Sequence, residues 1–497
     1  MISVTVKELA GYCGGKYIPG AGRYAAKSVV TDSRKPVKDG AFIALKGENF
    51  DGHAYVRDAM KAGAACCVVS DESGWEKGGY GPRAVLVEDT QKALGDIAAG
   101  YLQKYYPAMR RFAVTGSVGK TTTKELVHAV LASRFKAEKT PLSHNNEIGL
   151  PMTALSLPED TEIFVAEMGM RGFGQISYLE NIVHPEAALI TTIGNAHLEL
   201  LGSRENILKA KMEVCKGGAR LGSGKRFKLI VNGDNDLLKN QAELKRIAAG
   251  YGCKKIDIIT FGMDPSVTYR ATEAVSGEYG INYLLICPQG NFRVDLPKPG
   301  EHNIYNSLAA IAAGSLFGIG PEEAVEAIRR YESVSGGENS VRQRKVVLAG
   351  GKLTVIDDAY NAGPESMPAS LKVLGGITAD THIAALADMV ELGPDSPKFH
   401  FDVGRTAAKY SDRLYTVGEK AKEYVRGWSS ECNGGQRGVS PATGTAASFD
   451  STDEAFGAIK PFIDAELSAG RSVAILVKGS HIMHMGHISK LLEDAYR

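Results

Sequence analysis

The stretch from Val114 to Thr123, VTGSVGKTTT, constrains the fold of this chain more than any other. The apolar run before it predicts a strand, Gly116 and Gly119 end that strand, and Lys120 to Leu131 predicts an amphipathic helix. Backbone N–H groups at such a glycine turn and helix start point to one place and bind phosphate. We therefore expect Lys120 at the β- and γ-phosphates and the Thr121 hydroxyl at a Mg²⁺ ion.

The general phosphate-loop pattern has a further glycine where this chain has Val114, so only the GxxGKT half is present. A glycine turn that precedes a helix by chance is the alternative. We interpret the stretch as a nucleotide-binding loop because strand, turn and helix occur in the required order. The predicted phosphate-binding residues are Gly116, Ser117, Val118, Gly119, Lys120, Thr121 and Thr122.

The length and charge of the chain limit what it can be. Its 497 residues exceed what one hydrophobic core normally serves, and this length predicts roughly three domains. Lys plus Arg (58) nearly balance Asp plus Glu (57), so we expect no binding to nucleic acid through bulk electrostatics. An anionic ligand must therefore be held locally.

The apolar and cysteine patterns exclude several other classes. The amino terminus carries charges inside what would be the apolar core of a signal peptide, and the longest apolar run is short and interrupted by glycine. We expect a cytoplasmic monomer without membrane insertion. The seven cysteines are scattered and lack CxxC spacing, which favours buried thiols over a disulfide framework or a zinc site.

Strands that alternate with helical segments predict an α/β fold with three domains. Residues 1–88 predict a small α/β domain, which includes a helix from His53 to Gly63. Residues 89–335 predict a central P-loop domain with a parallel sheet, and residues 336–497 predict a Rossmann-like domain. The segment from Trp428 to Asp450 is rich in Gly, Ser, Thr and Asn and predicts an exposed loop or insertion that is not part of the core.

Two polar residues follow apolar strands of the central domain. Glu167 ends the strand in TEIFVAEMGM, and His197 follows the strand in AALITTIG. The carboxyl ends of parallel strands bind ligands in open α/β folds, and an acidic residue there can hold Mg²⁺. We therefore interpret both residues as site residues, although a lone histidine is more often a surface or structural residue.

Two predicted helices carry residues with an ordinary and a functional interpretation. Lys209 and Lys211 lie on a helix that Ser203 is expected to cap, and spacing alone places both lysines on a solvated face. Asn303 and Asn306 lie one turn apart in GEHNIYNSLAA and share a helix face that could contact a base or ribose. Capping of that helix by Asn303 is the alternative.

Eight sequence blocks resemble, in order and across nearly the whole chain, the Mur ligases of peptidoglycan synthesis. The blocks are TGSVGKTTTKE, HNNEIGLPMT, EMGMRGFGQI, TTIGNAHLELLGSRENILKAKMEV, GEHNIYNSLAA, DDAYNAGPESM, LADMVELG and VKGS. The resemblance implies an N-terminal UDP-sugar domain, a central ATPase domain and a mobile C-terminal Rossmann-like domain, with a hinge near Gly336 and Gly337. It also implies ATP and Mg²⁺ as cofactors.

The resemblance assigns roles to individual residues. It implies that Lys120 and Thr121 contact phosphate and Mg²⁺, that Glu167 binds Mg²⁺ and that His197 binds a second Mg²⁺. Lys211 corresponds to the lysine that family members carry as a carbamate, which turns a cation into an anionic metal ligand. The remaining implied contacts are adenine for Asn303 and Asn306, the γ-phosphate for Arg342, ribose for Asp358, uridine for Ser33, Arg34, Asp51 and His53, and the peptide substrate for Asn146, Asn361 and Lys478.

Within the family, HNNEIGLP and the TK after the phosphate loop are most similar to members that add D-alanyl-D-alanine to UDP-N-acetylmuramoyl-tripeptide. The DNPR-type signature of the diaminopimelate-adding relative is missing. The implied reaction is an ATP-dependent amide ligation through an acyl phosphate. Two departures lie on the peptide side, because the loop more often reads DDSYNANP and an arginine usually stands where this chain has His481.

Two alternatives remain open from the sequence. One is a sister ligase that adds a different amino acid or polyglutamate to another carboxylate. The other is a P-loop regulatory protein that hydrolyses ATP slowly to switch the positions of its domains. The sister ligase would differ in its C-terminal pocket, whereas the switch would need neither His197 nor a lysine carbamate.

Overall fold

The computed structural model describes residues 1–35, 37–48, 50–142, 144–222, 224–277, 280–335, 343–433 and 445–497. The described residues form three sheets, of five, nine and six strands, together with one two-stranded pair. This arrangement confirms the predicted α/β class with three sheet-containing units. The domain boundaries stay predictions, and the hinge predicted near Gly336 and Gly337, at the start of the third domain, lies outside the described residues.

The N-terminal part contains a short parallel sheet with one antiparallel edge strand. Its strands are β1 (Val4–Thr5), β2 (Lys16–Tyr17), β3 (Ala25–Ala26), β4 (Ser28–Val30), β5 (Gly40–Ile43), β6 (Cys66–Val69) and β7 (Ala84–Leu86). Its helices are α1 (Val6–Cys13), α2 (Val56–Lys61) and α3 (Glu72–Glu76). The sheet order is β2-β7-β6-β5-β4, and β1 pairs with β3. The helix predicted from residue 53 starts as a 3₁₀ turn, Gly52–Tyr55, before α2.

The central part is built on the nine-stranded sheet. Its strands are β8 (Arg110–Thr115), β9 (Ala137–Lys139), β10 (Ile163–Glu167), β11 (Ala187–Ile190), β12 (Phe227–Asn232), β13 (Ile256–Gly262), β14 (Tyr269–Ser276), β15 (Ile281–Cys287) and β16 (Gly290–Leu296). Its helices are α4 (Thr90–Tyr105), α5 (Lys120–Ala132), α6 (Gly149–Leu155), α7 (Gln175–Val183), α8 (Leu198–Leu201), α9 (Arg204–Met212), α10 (Gln241–Gly250), α11 (His302–Leu316) and α12 (Pro321–Ser335).

One end of the central sheet differs from the predicted parallel arrangement. The strand order is β16-β15-β14-β13-β12-β11-β8-β10-β9, and β14, β15 and β16 pair antiparallel. The segments of sequence between these three strands are too short for crossover helices. The residues of β15 alternate between buried and more exposed positions, as expected for a strand with one solvated face. In the rest of the sheet, β8 lies between β10 and β11, so three carboxyl ends meet beside the phosphate loop.

The C-terminal part contains a six-stranded sheet, parallel except for β17. Its strands are β17 (Arg344–Leu348), β18 (Leu353–Asp358), β19 (Thr381–Ala387), β20 (Arg413–Val417), β21 (Thr445–Phe449) and β22 (Val473–Lys478). Its helices are α13 (Ser366–Gly375), α14 (Ser396–Tyr410), α15 (Ala421–Asn433), α16 (Thr452–Ser468) and α17 (Gly486–Tyr496). The sheet order is β17-β18-β22-β19-β20-β21.

The prediction of an exposed loop from Trp428 to Asp450 is wrong at both ends of the segment. Trp428 is buried within α15, and residues 445–449 form the edge strand β21. Residues 434–444 lie outside the described residues. The polar composition of the segment gave no sign of the helix end or of the edge strand β21, whose residues are at most partly buried.

Helix α4 fixes the N-terminal part to the central part. Asp89 caps this helix by accepting from the N–H groups of Gln91 and Lys92, and Thr90 Oγ1 donates to Ala44 O at 2.9 Å. One continuous apolar core runs from Val4 in the N-terminal part to Ile256 in the central part. Among the described residues, no helix combines the length and apolarity needed to cross a bilayer.

Candidate active site

The loop between β8 and α5, called the cradle below, is held in place by hydrogen bonds and by the close approach of its backbone to neighbouring residues. Gly116 and Gly119 have φ angles of +143° and +83°, which favour glycine. A Cβ atom on Gly116 would lie 1.9 Å from Thr191 Oγ1. The Ser117 N–H donates to Thr192 O at 2.8 Å, and Thr191 Oγ1 donates to Val118 O at 2.5 Å. The segment after β11 therefore fixes the conformation of this loop at the carboxyl edge of the sheet.

Helix α5 starts directly at this loop. The Thr123 N–H donates to Gly119 O at 2.9 Å, so the N–H groups of the preceding helical residues are not used inside the helix. Lys120 Nζ folds back and donates to Gly116 O at 2.9 Å and to Ser117 O at 3.2 Å. The helix start and the ammonium group thus occupy the same small region, which suits a polyphosphate.

Glu167 lies buried beside the start of α5, at the end of β10. Its Oε1 accepts from Thr121 Oγ1 at 3.1 Å and from Asn145 Nδ2 at 2.8 Å. Within the described residues, its Oε2 accepts no hydrogen bond, and Lys124 Nζ is 3.7 Å away. A buried carboxylate oxygen without a hydrogen bond is costly, so a cation bound at this oxygen would fit the site.

Lys211 is buried, contrary to the solvated position that its helix spacing predicts. It is 1% exposed, and its side chain has no hydrogen bond or ion pair within the described residues. Burial lowers the pKa of the Lys211 ammonium well below its usual range, and the charge of Lys120 lowers it further. The Lys211 ammonium therefore loses its proton more readily than that of an exposed lysine, and it lies close enough to Lys120 for the two charges to interact.

His197 follows β11 and is the residue before α8. Its Nδ1 forms a hydrogen bond with Oε2 of Glu391, a residue of the C-terminal part. Burial lowers the pKa of His197, which outweighs the opposite effect of Glu391, and the charges of Lys211 and Lys120 lower it further. The imidazole is therefore neutral and can act as a metal ligand through Nε2.

These side chains fit a Mg²⁺ site only in combination. The described part of the chain holds no cluster of three or more His, Cys, Asp or Glu side chains arranged for a metal. Glu167 and His197 supply one group each, and Thr121 supplies a hydroxyl. A carbamate on Lys211 would add an anionic oxygen ligand, which Mg²⁺ prefers.

Asn303 and Asn306 form a hydrogen-bonded chain that reaches helix α5. Thr123 Oγ1 donates to Asn306 Oδ1 at 3.1 Å, Asn306 Nδ2 donates to Asn303 Oδ1 at 3.1 Å, and Asn303 Nδ2 donates to Pro299 O at 2.7 Å. The residue before α11 is Glu301, so the alternative that Asn303 caps this helix is wrong. Asn303 instead fixes the loop before the helix.

A cavity of about 740 Å³ separates the start of α11 from the C-terminal part. Residues of both parts line it, among them Gly300, Tyr305, Gln343, Ile356 and Tyr410. Burial lowers the pKa of His302, which also lines the cavity, to about 4, although nearby Asp358 acts in the opposite direction. A mostly apolar cavity of this size, which also contains lysine side chains, suits the base of a nucleotide.

Comparison with known proteins places these features in a family. Residues 114–314 match the Mur ligase middle domain, residues 342–481 the Mur ligase glutamate ligase domain, and residues 26–102 the catalytic domain of the Mur ligase family. The UDP-N-acetylmuramoyl-tripeptide–D-alanyl-D-alanine ligase of Bacillus subtilis is 36% identical over 84% of this chain and 86% of its own length. The enzyme of the same name from Escherichia coli is 32% identical over 99% of both chains.

The chain belongs to the Mur ligase family. A crystal structure of MurF from Acinetobacter baumannii has the same architecture, with a TM-score of 0.84 and 29% identity over 99% of both chains. The likeness therefore extends over all three sheets of this Mur ligase.

The N-terminal loops of this Mur ligase lie at one edge of its sheet. Ser33 and Arg34 follow β4, and Arg34 donates to both carboxylate oxygens of Asp32 at 2.9 Å. Asp51 accepts from the His53 N–H at 2.9 Å and contacts His53 Nδ1 at 2.6 Å. The Ser70 N–H donates to His53 Nε2 at 2.8 Å, so both ring nitrogens of His53 already have partners. A uridine site at these residues stays a prediction.

The predicted peptide-side residues of this Mur ligase have structural partners. Asn146 Oδ1 accepts from the N–H groups of Ile148 and Gly149, which fixes the start of α6. Lys478 is buried, and its ammonium donates to Asp358 Oδ2 at 2.6 Å and to Asn361 O at 3.0 Å. Their roles toward a substrate stay predictions, as does that of Arg342, which lies outside the described residues.

Four residues at the centre of the site, Asn145, Asn195, Glu365 and Glu391, were not among the predicted site residues of this Mur ligase. Asn145, not its neighbour Asn146, contacts Glu167. Glu365 and Glu391 reach from the C-terminal part and accept hydrogen bonds from Asn195 and His197. Each of the four lies within a block that resembles the family, and Glu391 also follows the carboxyl end of β19. Its position after the carboxyl end of a strand is the feature by which Glu391 could have been recognised as a site residue from the sequence.

Proposed function

We propose that this Mur ligase adds D-alanyl-D-alanine to UDP-N-acetylmuramoyl-tripeptide with ATP and Mg²⁺, in the cytoplasm. Similarity to enzymes of that name along the whole chain supports the substrates. One structural observation supports the chemistry, namely that Lys120, His197 and Lys211 lie close enough for their charges to interact, while Glu167 accepts a hydrogen bond from Thr121 at the start of α5.

Joining a carboxylate to an amine in water is unfavourable, so the carboxylate must be activated. A carboxylate oxygen of the tripeptide attacks the γ-phosphorus of ATP, and ADP leaves. The amine of D-alanyl-D-alanine then attacks the acyl carbon, and phosphate and a proton are released. The cradle between β8 and α5, together with Lys120, would hold the phosphates and reduce the repulsion between the two anions.

The residues around the cradle would bind Mg²⁺, which when bound neutralises charge on the phosphates. Glu167 would contribute Oε2, Thr121 its hydroxyl and His197 its Nε2. CO₂ reacts with an uncharged amine and not with an ammonium group, so the lowered pKa of Lys211 favours carbamate formation. The product is an anion in place of a buried amine that has no hydrogen-bond or ion-pair partner among the described residues.

The other predicted contacts complete the proposal. Asn303 and Asn306 would contact adenine, Arg342 the γ-phosphate and Asp358 the ribose. Ser33, Arg34, Asp51 and His53 would bind uridine at the N-terminal sheet edge. Asn146, Asn361 and Lys478 would lie on the peptide side, with Lys478 acting through its contacts to Asp358 and Asn361.

Phosphate release tests the proposed function when each substrate is omitted in turn. We expect fast release only when ATP, UDP-tripeptide and D-alanyl-D-alanine are all present, because activation requires the carboxylate and turnover requires the amine. A panel of other amino acids and glutamate serves as the control for a sister ligase. Release that continues equally without tripeptide and dipeptide would instead indicate an ATP-hydrolysing regulatory protein.

A further inference from the structure

Glu391 of the C-terminal part bridges two residues of the central part. Its Oε2 accepts a hydrogen bond from His197 Nδ1, and its Oε1 forms an ion pair with Arg171. Its carbonyl oxygen also accepts from the Glu199 N–H at 3.3 Å. One residue therefore makes three contacts across the interface, and one of them is to a proposed metal ligand.

The backbone on both sides of this contact is held in unusual conformations. His197 and Glu391 have φ angles of +65° and +62°, which residues other than glycine rarely adopt. Gly393, two residues further on, has a φ of +67°, which lies in the left-handed region that favours glycine. Such conformations persist where the surroundings impose them, and they cluster at functional sites.

The hydrogen bond selects one form of the His197 ring. A neutral imidazole carries its single proton on either nitrogen, and a carboxylate at Nδ1 favours the tautomer with the proton there. The lone pair then lies on Nε2, the nitrogen that would bind a metal. Metal-binding histidines commonly have their second nitrogen fixed by a carboxylate in this way.

We propose that Glu391 is a positioning residue for His197, supplied by the C-terminal part so that the metal-binding form of His197 is completed only when the two parts meet. This inference rests on the proposed function, because it assumes that His197 binds Mg²⁺. Arg171 neutralises the second oxygen of Glu391 and helps to hold the carboxylate in place. By linkage, metal binding and closure favour each other by the same factor.

Mn²⁺ binding tests this inference without relying on turnover. The binding constant is measured by electron paramagnetic resonance with a non-hydrolysable ATP analogue and UDP-tripeptide present. We expect Glu391→Ala to weaken binding of one Mn²⁺ ion by about 10- to 100-fold, the usual effect of losing a carboxylate behind a metal-binding histidine. Glu391→Gln should recover most of this loss, because its amide oxygen can still accept from Nδ1.

Arg171→Ala is the matched control. It removes the ion pair across the same interface but leaves the Glu391 carboxylate hydrogen-bonded to His197. We expect its Mn²⁺ affinity to change by about fivefold at most, as for an exposed ion pair. An equal loss in Arg171→Ala and Glu391→Ala would show that only contact between the two parts matters, and the positioning role would be wrong.

Two further measurements separate the possible failures. Nitrogen NMR of ¹⁵N-histidine, with His197→Ala used for assignment, should show the Nδ1-protonated ring in the wild type and lose that preference in Glu391→Ala. Wild-type Mn²⁺ affinity in Glu391→Ala, together with a loss in His197→Ala, would overturn the positioning role and leave the proposed function intact. Unchanged affinity in His197→Ala would overturn its proposed metal role as well. Thermal melting of each variant verifies that it is folded.

Discussion

At the residue scale, Lys209 and Lys211 lie two positions apart on α9 in opposite environments. Lys209 is exposed, whereas Lys211 is buried near the phosphate loop and has no partner within the described residues. An ammonium group beside Mg²⁺ would repel it, so a metal role requires the carbamate. Carbamate formation would then change the side chain from a cation into an anion, and this anion would be the metal ligand.

We predict that Lys211→Ala lowers kcat by about 100-fold or more, at the upper end of what losing a metal-site partner costs. Added formate or acetate should restore part of the activity, because a small carboxylate can supply the missing oxygen ligand. Lys209→Ala is the control and should show neither the loss nor a response to the acid. Full activity of Lys211→Ala in a steady-state assay would return Lys211 to a structural role.

At the element scale, the turn between β8 and α5 depends on the close approach of its backbone to the segment after β11. Gly116 has no space for a side chain next to Thr191, and its φ favours glycine. We predict that Gly116→Ala weakens ADP binding by about 10- to 100-fold, since backbone strain of order 1–3 kcal/mol would displace the loop. Isothermal titration calorimetry measures the change.

Gly457→Ala provides the comparison for this substitution. Gly457 lies exposed within α16, and an added Cβ would meet nothing within 4 Å. Alanine there should leave ADP binding unchanged and stabilise the fold by roughly 0.5–1 kcal/mol, since glycine weakens a helix. Binding of UDP-tripeptide should survive in Gly116→Ala if the N-terminal part holds the uridine, whereas loss of both ligands would indicate a general folding defect.

At the scale of the whole molecule, polar contacts join the central and C-terminal parts. Glu365 Oε1 accepts from Asn195 N and Nδ2 at 2.8 and 2.7 Å, and Lys372 Nζ forms an ion pair with Glu301 Oε2 at 2.5 Å. Polar contacts of this kind can open without exposing a large apolar surface. Ligands that bridge both parts are therefore expected to favour closure.

We predict that an ATP analogue with UDP-tripeptide and Mg²⁺ decreases the radius of gyration in small-angle X-ray scattering. The proposed nucleotide contacts lie on both sides of the interface, so bound nucleotide favours the arrangement in which they meet. UDP-tripeptide alone at the N-terminal part serves as the control and should have a smaller effect. Identical scattering curves with and without the ligands would contradict closure.

The sequence by itself determined the features that depend on local pattern. The strand, glycine turn and helix around Lys120 follow from apolar periodicity and glycine placement, and Glu167 and His197 follow from their positions after predicted strands. Chain length and the alternation of strands with helices predicted three domains, and family resemblance added their ligands and the special role proposed for Lys211. These features are encoded by neighbouring residues or by the order of blocks along the chain.

Only the tertiary structure decided which groups are buried and which distant groups meet. Helix spacing placed Lys211 on a solvated face, but the packing of α9 against the central part buries it and lowers its pKa. Glu391 and His197 are 194 positions apart, and their contact exists only because two separate sheets meet at their carboxyl edges. Burial and long-range contacts depend on how all elements pack together, so no local pattern specifies them.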